Sequence, residues 1–272
     1  MGESKHPLSG KTVVVTRAPE QSQGLSEALD KLGATVVWLP TVTFSPVENS
    51  TELDAALGKF LQFDWVFFTS QNTVRFLFQR GCQVGVAPFV QPRRPKIAAV
   101  GGGTAQAAKN LDIRVDFTPK TQTAESLVSE LGPAALAGKK VLLPQSDRAD
   151  DRTAAMLREL GAKVTEVIVY RTSMPESFDE DTLAAVKNGE VDAILFASPS
   201  AFENFSKVIA PMDAAELSRR VAFAAIGPTT GDAIRNAGAS LAIESLEPSI
   251  DGLSKAVAQY FKSRHDESAR HA

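Results

Sequence analysis

The side chains able to do chemistry in this chain are few, and their placement excludes more than it permits. The three histidines, His6, His265 and His271, fall in the end segments, and Cys82 is the single cysteine. A zinc or Cys/His site therefore has no ligand set, and a Ser-His-Asp triad has no base. Neither a metal nor a cofactor is expected. Proton transfer must use acids, Lys, Arg, one of two tyrosines (Tyr170 and Tyr260), or the substrate's own groups. Polar residues cluster instead where apolar runs end. Arg17 follows Val13-Val14-Val15-Thr16, and Ser70 and Asn72 follow Trp65-Val66-Phe67-Phe68-Thr69. Gly103 and Thr104 close Gly101-Gly102-Gly103-Thr104, Ser198 and Ser200 follow Phe196-Ala197, and Gly227, Thr229 and Thr230 share Gly227-Pro228-Thr229-Thr230. Glycine turns that open helices offer backbone N–H groups to anions, and an Arg at a strand end can fork onto a carboxylate. The dinucleotide pattern fails, because Gln106 stands where its third glycine belongs, and no Walker Gly-Lys-Ser/Thr occurs. The set suits a multiply anionic substrate held by dispersed hydrogen bonds, with the substrate supplying most of the reactivity. Each residue also has a plain structural role: Ser70, Ser198, Thr104 and Thr229 as helix N-caps, and Asp147, Asp150 and Asp151 as helix-start charges.

The elements that must position these residues alternate short β-branched runs with amphipathic helices, the pattern of a parallel sheet flanked by helices. Strands are expected at 11–16, 35–39, 64–69, 96–100, 113–117, 141–144, 164–170, 192–197, 221–226 and 240–244. Leu25, Ala28, Leu29 and Leu32 fall on one helical face, and Gly33 ends that helix. Helices are expected to start near Asn72 and Ser200, over 155–160, after Asp179-Glu180-Asp181, and over 249–262, with a frayed tail beyond. Segment 40–46, bracketed by prolines, and its counterpart 169–175 look like connections able to pair as a ladder.

The chain also repeats itself. Leu8-Ser9-Gly10-Lys11-Thr12-Val13 returns 128 residues on as Leu136-Ala137-Gly138-Lys139-Lys140-Val141, and Asp64-Trp65-Val66 returns as Asp192-Ala193-Ile194. Later the offset slips to 126, as Gly101 to Gly227 shows. Such a period is too long for a solenoid and describes a duplicated α/β half. Two similar halves commonly face each other across a ligand cleft. The net charge of −3 argues against nucleic acid as a partner. No apolar run reaches the length of a membrane helix, the start has no signal-peptide core, and a lone cysteine fits a reducing cytoplasm. Nothing in the residues demands more than a monomer.

Val15-Thr16-Arg17, Phe68-Thr69-Ser70-Gln71-Asn72-Thr73-Val74, Ala99-Val100-Gly101-Gly102-Gly103-Thr104, Val169-Tyr170-Arg171-Thr172, Phe196-Ala197-Ser198-Pro199-Ser200 and Ala225-Ile226-Gly227-Pro228-Thr229-Thr230 occur in that order. On these six motifs the chain resembles the uroporphyrinogen-III synthase family from Lys11 to about Tyr260. Thr73 departs from the pattern, where many members carry a smaller residue. The resemblance implies two similar flavodoxin-like α/β domains joined by a two-stranded β-ladder, with elements exchanged between repeats. One domain is 1–42 with 174–272 and the other is the inserted 46–169, with linkers at 40–46 and 169–175. It implies hydroxymethylbilane, a linear tetrapyrrole, as substrate, cyclised with loss of water and inversion of ring D, without cofactor or metal. It implies Tyr170 as proton donor, and Arg17, Ser70, Asn72, Gly103, Thr104, Ser198, Ser200, Gly227, Thr229 and Thr230 as binders of the carboxylate arms. A transient contact with the preceding bilane-forming enzyme follows from the same resemblance. A non-enzymatic two-domain binding protein for a multi-anionic small molecule would share the crevice and hinge, and a nucleotide- or sugar-using transferase would share the glycine turns, although the chain has no convincing phosphate loop.

Overall fold

A strand with no polar face needs cover on both sides, and β1 (Thr12–Val15) is one: Val13, Val14 and Val15 are all buried. The computed structural model describes residues 6–19, 22–86 and 94–271. The chain divides into two compact units, 1–43 with 173–272, and 44–172.

Unit 1 begins with β1, α1 (Gln23–Lys31) and β2 (Thr35–Trp38). Unit 2 follows with β3 (Thr43–Pro46), α2 (Thr51–Gly58), a 3-10 turn (Phe60–Gln62), β4 (Trp65–Phe68), α3 (Gln71–Gln83), β5 (Lys96–Ala99), α4 (Gly102–Lys109), α5 (Ala124–Leu136), β6 (Lys140–Ser146), α6 (Arg152–Glu159) and β7 (Lys163–Ser173). The chain then completes unit 1 with α7 (Glu180–Asn188), β8 (Ala193–Phe196), α8 (Pro199–Ile209), α9 (Ala214–Leu217), β9 (Ala222–Ala225), α10 (Pro228–Asn236), β10 (Ile243–Glu244) and α11 (Ile250–His271).

The sheet of unit 1 runs β2-β1-β8-β9-β10, all parallel. That is the doubly wound order whose direction of winding reverses between its second and third strands, here β1 and β8. The sheet of unit 2 runs β3-β7-β6-β4-β5, with Phe117 adding one bridge beside Ala98. Its reversal falls between β6 and β4, and β3 is an additional edge strand beside β7. Each sheet is sandwiched. In unit 1, Phe196, Phe202, Phe205 and Phe223 fill one face and Leu25, Leu29, Leu253 and Val257 the other. The phenylalanines meet edge to face, with Phe196 and Phe223 centroids 5.3 Å apart. In unit 2, α2, α3 and α4 cover one face around Phe60, Phe68 and Phe76, and α5 and α6 cover the other around Phe67, Leu127 and Leu157.

The duplication is visible atom by atom. Asp192 accepts Lys11 Nζ at 2.8 Å and Thr12 N at 2.9 Å; Asp64 accepts Lys139 Nζ at 3.5 Å and Lys140 N at 2.8 Å. Gly33 and Gly161 end their helices with φ of +92° and +81°, a region that glycine enters without strain.

Several expectations are corrected. Segment 113–117 makes a single bridge rather than a strand. Helix α11 runs on through the expected frayed tail to His271, supported by Ser263 Oγ and Arg264 bonding back to Tyr260. Asp147 is not a helix-start charge: its carboxylate accepts Thr172 N at 2.9 Å and ties the end of β6 to β7. Asp150 keeps the expected helix-start role, accepting Arg152 N, the first N–H of α6, at 3.1 Å while also pairing with the Arg152 side chain. Helices α2 and α9, each with little apolar periodicity of its own, are additional to those expected.

Candidate active site

In open α/β sheets ligands gather outside the carboxyl ends of the strands, at the point where winding reverses. At that end of unit 1, Arg17 leaves β1 beside the end of β8. Thr16 fixes the junction, donating its hydroxyl to Leu195 O at 2.7 Å. Thr41 repeats the device, donating Oγ1 to Ala201 O at 2.9 Å, while Asn204 Nδ2 donates to Thr41 O at 2.8 Å. Arg17 itself is half-buried and has no hydrogen-bond or ion-pair partner among the described residues. Burial pulls its guanidinium below its ordinary value. A desolvated cation without a counter-ion is what an anion would satisfy.

Ser198 caps α8, accepting Ala201 N at 3.2 Å, and its hydroxyl lies 3.1 Å from that of Ser200. Ser70 caps α3 in a reciprocal box: it accepts Thr73 N at 3.1 Å, and its own N–H donates to Thr73 Oγ1 at 3.3 Å. The side-chain oxygens of both serines thus already accept a backbone hydrogen bond, though each keeps further capacity. Thr73, the departure from the family pattern, completes this box.

The threonines of the glycine turns are not caps. Gly101 and Gly227 hold the N-cap positions, and Thr104 and Thr230 fall in the first turns of α4 and α10. Thr104 and Thr230 are 5% and 3% exposed, and their hydroxyls have no partner among the described residues. No fully buried side-chain oxygen among those residues lacks a partner, so both hydroxyls keep solvent access. Thr229 and Gly103 are exposed, and Asn72 is half-buried without a partner among the described residues.

The two turns differ in what meets them. Gln122 Oε1 accepts Gly102 N at 3.2 Å, and a Cβ on Gly101 would lie 2.3 Å from that oxygen. At the repeat-related position in unit 1 stands Pro248, which would lie 3.1 Å from a Cβ on Gly227. A carboxamide thus satisfies the first N–H of α4, whereas the first residue of α10 is Pro228, which has no N–H to satisfy. Sequence reasoning missed Gln122, although its 126-residue offset from Pro248 was there to be read.

Tyr170 lies on β7, next to a β-bulge. Gln145 pairs with Ile168 but Ser146 pairs with Tyr170, which leaves Val169 as the extra residue. Simple alternation would put Tyr170 on the exposed face of Ile168. The bulge turns it instead onto the core face with Val167 and Val169, where it is 7% exposed. Its ring stacks on Phe76 at 5.3 Å and meets Phe44 edge-on at 5.6 Å. Its hydroxyl has no partner among the described residues.

Among the described residues no group of three or more His, Cys, Asp or Glu could hold a metal ion, and no helix is long and apolar enough to cross a membrane. Fold and site together define a duplicated, doubly wound α/β protein whose strand ends carry hydroxyls, amides, helix N-termini and an arginine with no ion-pair partner among the described residues. A family model described as uroporphyrinogen-III synthase HemD matches residues 23–255. A uroporphyrinogen-III synthase of Synechococcus elongatus is 31% identical over 94% of this chain and 98% of its own length. One from Chlorobaculum parvum is 29% identical over 93% of this chain and all of its own. The chain belongs to the uroporphyrinogen-III synthase family. In fold it is similar to the crystal structures of a mutant uroporphyrinogen III synthase from Thermus thermophilus (TM-score 0.60, 19% identity, 93% of this chain and 100% of that one) and of uroporphyrinogen-III synthetase from Helicobacter pylori (TM-score 0.61, 16% identity, 92% and 99%).

Proposed function

We propose that this protein is a hydro-lyase that cyclises hydroxymethylbilane to uroporphyrinogen III, with inversion of ring D and loss of water. Family membership carries the proposal, and the chemistry of the strand ends supports it. A substrate with many carboxylates calls for donors rather than nucleophiles. Arg17, Ser198, Ser200, Gly227, Thr229 and Thr230 in unit 1, and Ser70, Asn72, Gly103 and Thr104 in unit 2, receive the carboxylate arms. Arg17 is the strongest single donor, because a guanidinium matches a carboxylate with two parallel bonds.

Loss of the terminal hydroxyl requires a proton as the C–O bond breaks, and the pyrrole nitrogen lone pair supplies the push. Tyr170 is the proton donor. Its Oη has no described partner competing for the proton. Phe44 and Phe76 fix the ring, so the hydroxyl has a defined position. The bilane closes unaided to the uninverted isomer, so the protein's larger task is to hold the chain in the shape that inverts ring D, which is catalysis by positioning. The test is product analysis with freshly made hydroxymethylbilane, oxidising and separating the type I and type III uroporphyrins. Protein-dependent type III product is expected; type I alone at the spontaneous rate, from folded protein, overturns the proposal.

A further inference from the structure

At the amino-terminal end of the unit 1 sheet, away from the strand ends just described, lies a cavity of about 470 Å³ lined by Lys11, Asp192, Arg220, Tyr260, Arg264 and His265. Among the described lining residues three are cationic, one is a histidine and one, Asp192, is a carboxylate. That carboxylate is already committed, accepting Lys11 Nζ at 2.8 Å and Thr12 N at 2.9 Å. Arg264 donates to Tyr260 Oη at 2.6 Å. Arg220 makes one long bond, 3.4 Å to Asn188 O, and no carboxylate among the described residues pairs with it.

The duplication supplies an internal control. In unit 2 the residue 126 positions before Arg220 is Arg94, and its guanidinium is neutralised by a fork onto Asp116 at 2.7 and 3.2 Å. The position of Asp116 is marked by its backbone bond, Asp116 N to Ile97 O at 2.8 Å. Unit 1 repeats that bond as Ala242 N to Phe223 O at 3.1 Å. Ala242 therefore stands where the neutralising carboxylate would be. The same frame that in unit 2 closes on an internal ion pair leaves, in unit 1, a guanidinium with unspent donors facing a cavity with further cations.

We propose that this cavity is a binding site for a compact, multiply charged oxyanion of the polyphosphate class. Phosphate oxygens take the paired N–H groups of a guanidinium, and Lys11 adds a second positive group to the lining. The one carboxylate among the described lining residues is already saturated by two donors, which leaves none for Arg220. The site draws on none of the strand-end residues, so it stands whether or not the cyclisation proposal does.

The test is calorimetric titration of the full chain with inorganic pyrophosphate at low ionic strength. One saturable equivalent is expected, weakening as salt rises. Ala242→Asp restores in unit 1 the carboxylate that unit 2 carries; it is expected to weaken binding about tenfold while leaving thermal stability unchanged or raised. Arg220→Gln should weaken binding similarly, and Arg17→Gln, at the other end of the strands, should not. No saturable binding, binding untouched by both Ala242→Asp and Arg220→Gln, or binding abolished by Arg17→Gln would each overturn the proposal.

Discussion

Replacing Tyr170 by Phe removes one oxygen and leaves the ring, which separates the two roles this residue could have. The ring is held by Phe76 and Phe44 at 5.3 and 5.6 Å, and the hydroxyl meets no described partner. Loss of a hydroxyl that satisfies nothing should therefore shift the unfolding free energy by no more than about 0.5 kcal/mol. Tyr170→Ala deletes the ring from the core and should cost about 3–5 kcal/mol. For turnover the expectation reverses in character. A positioned general acid contributes about 10²–10⁴-fold. Because the pyrrole nitrogen assists departure and positioning carries part of the rate, a fall of about 10–100-fold in kcat is expected for Tyr170→Phe, or about 1.4–2.7 kcal/mol. KM should hardly move. The assay is the initial rate of type III uroporphyrinogen formation, read after oxidation, alongside urea unfolding of the same preparation. An unchanged rate of type III formation would remove Tyr170 as the donor. A large stability loss in Tyr170→Phe would show instead that the hydroxyl has a structural partner, and would refute the reasoning from the other side.

Arg17→Gln should raise KM for the bilane about tenfold with a smaller effect on kcat, since it removes a charge-assisted contact present throughout the reaction; steady-state kinetics decide, and a pure kcat loss would contradict the binding role. Gly252→Ala should destabilise by about 1–3 kcal/mol, because its Cβ would stand 2.3 Å from Glu247 O, a backbone atom that cannot swing aside; thermal melting checks it. Asp116 is pushed up by desolvation, but the Arg94 and Ile97 N–H hydrogen bonds and the charges of Arg94 and Arg114 outweigh this, and its carboxyl lies below the usual range. Its stabilisation is then complete above the unfolded-state value of about 4 and is lost as pH falls through the lower folded value. Asp116→Asn should accordingly cost stability at neutral pH and converge on the parent protein in acid, as paired unfolding curves across pH would show.

The parts of this fold that were legible are those in which one local pattern decides the outcome. Val13-Val14-Val15 and Ile194-Leu195-Phe196 can only be strands buried on both faces, and Gly33 and Gly161 can only be helix ends. The return of Lys-x and Asp at a fixed offset marked a duplicated frame, and the clamps at Asp192 and Asp64 are its physical content. What stayed hidden depends on register and on distant partners. The bulge at Val169 breaks the alternation that strand reading relies on, so Tyr170 reads as a connection residue although its ring is packed in the core. Threonine at a helix start suggests a cap, but glycine holds that position in both turns, where a Cβ would stand 2.3 Å from Gln122 Oε1 and 3.1 Å from Pro248. Gln122 and Asp147 act across 20 and 25 residues, distances at which no local pattern speaks.

The arrangement of the two units also sets an order of assembly. Unit 2 is one continuous stretch, 44–172, whose two ends meet where the Phe44 ring touches Tyr170. Unit 1 needs β8 beside β1, and the bond from Thr12 to Asp192 spans 180 residues. On a ribosome, β1, α1 and β2 emerge first and have no sheet to join until β8 is synthesised, while everything unit 2 requires is already present. Completion of unit 2 then acts as a clasp: it draws the ends of the long intervening segment together and removes most of the loop-closure cost that the β1–β8 pairing would otherwise face. Mutations that unfold unit 2 should therefore slow the formation of unit 1 as well, even though they change none of its contacts.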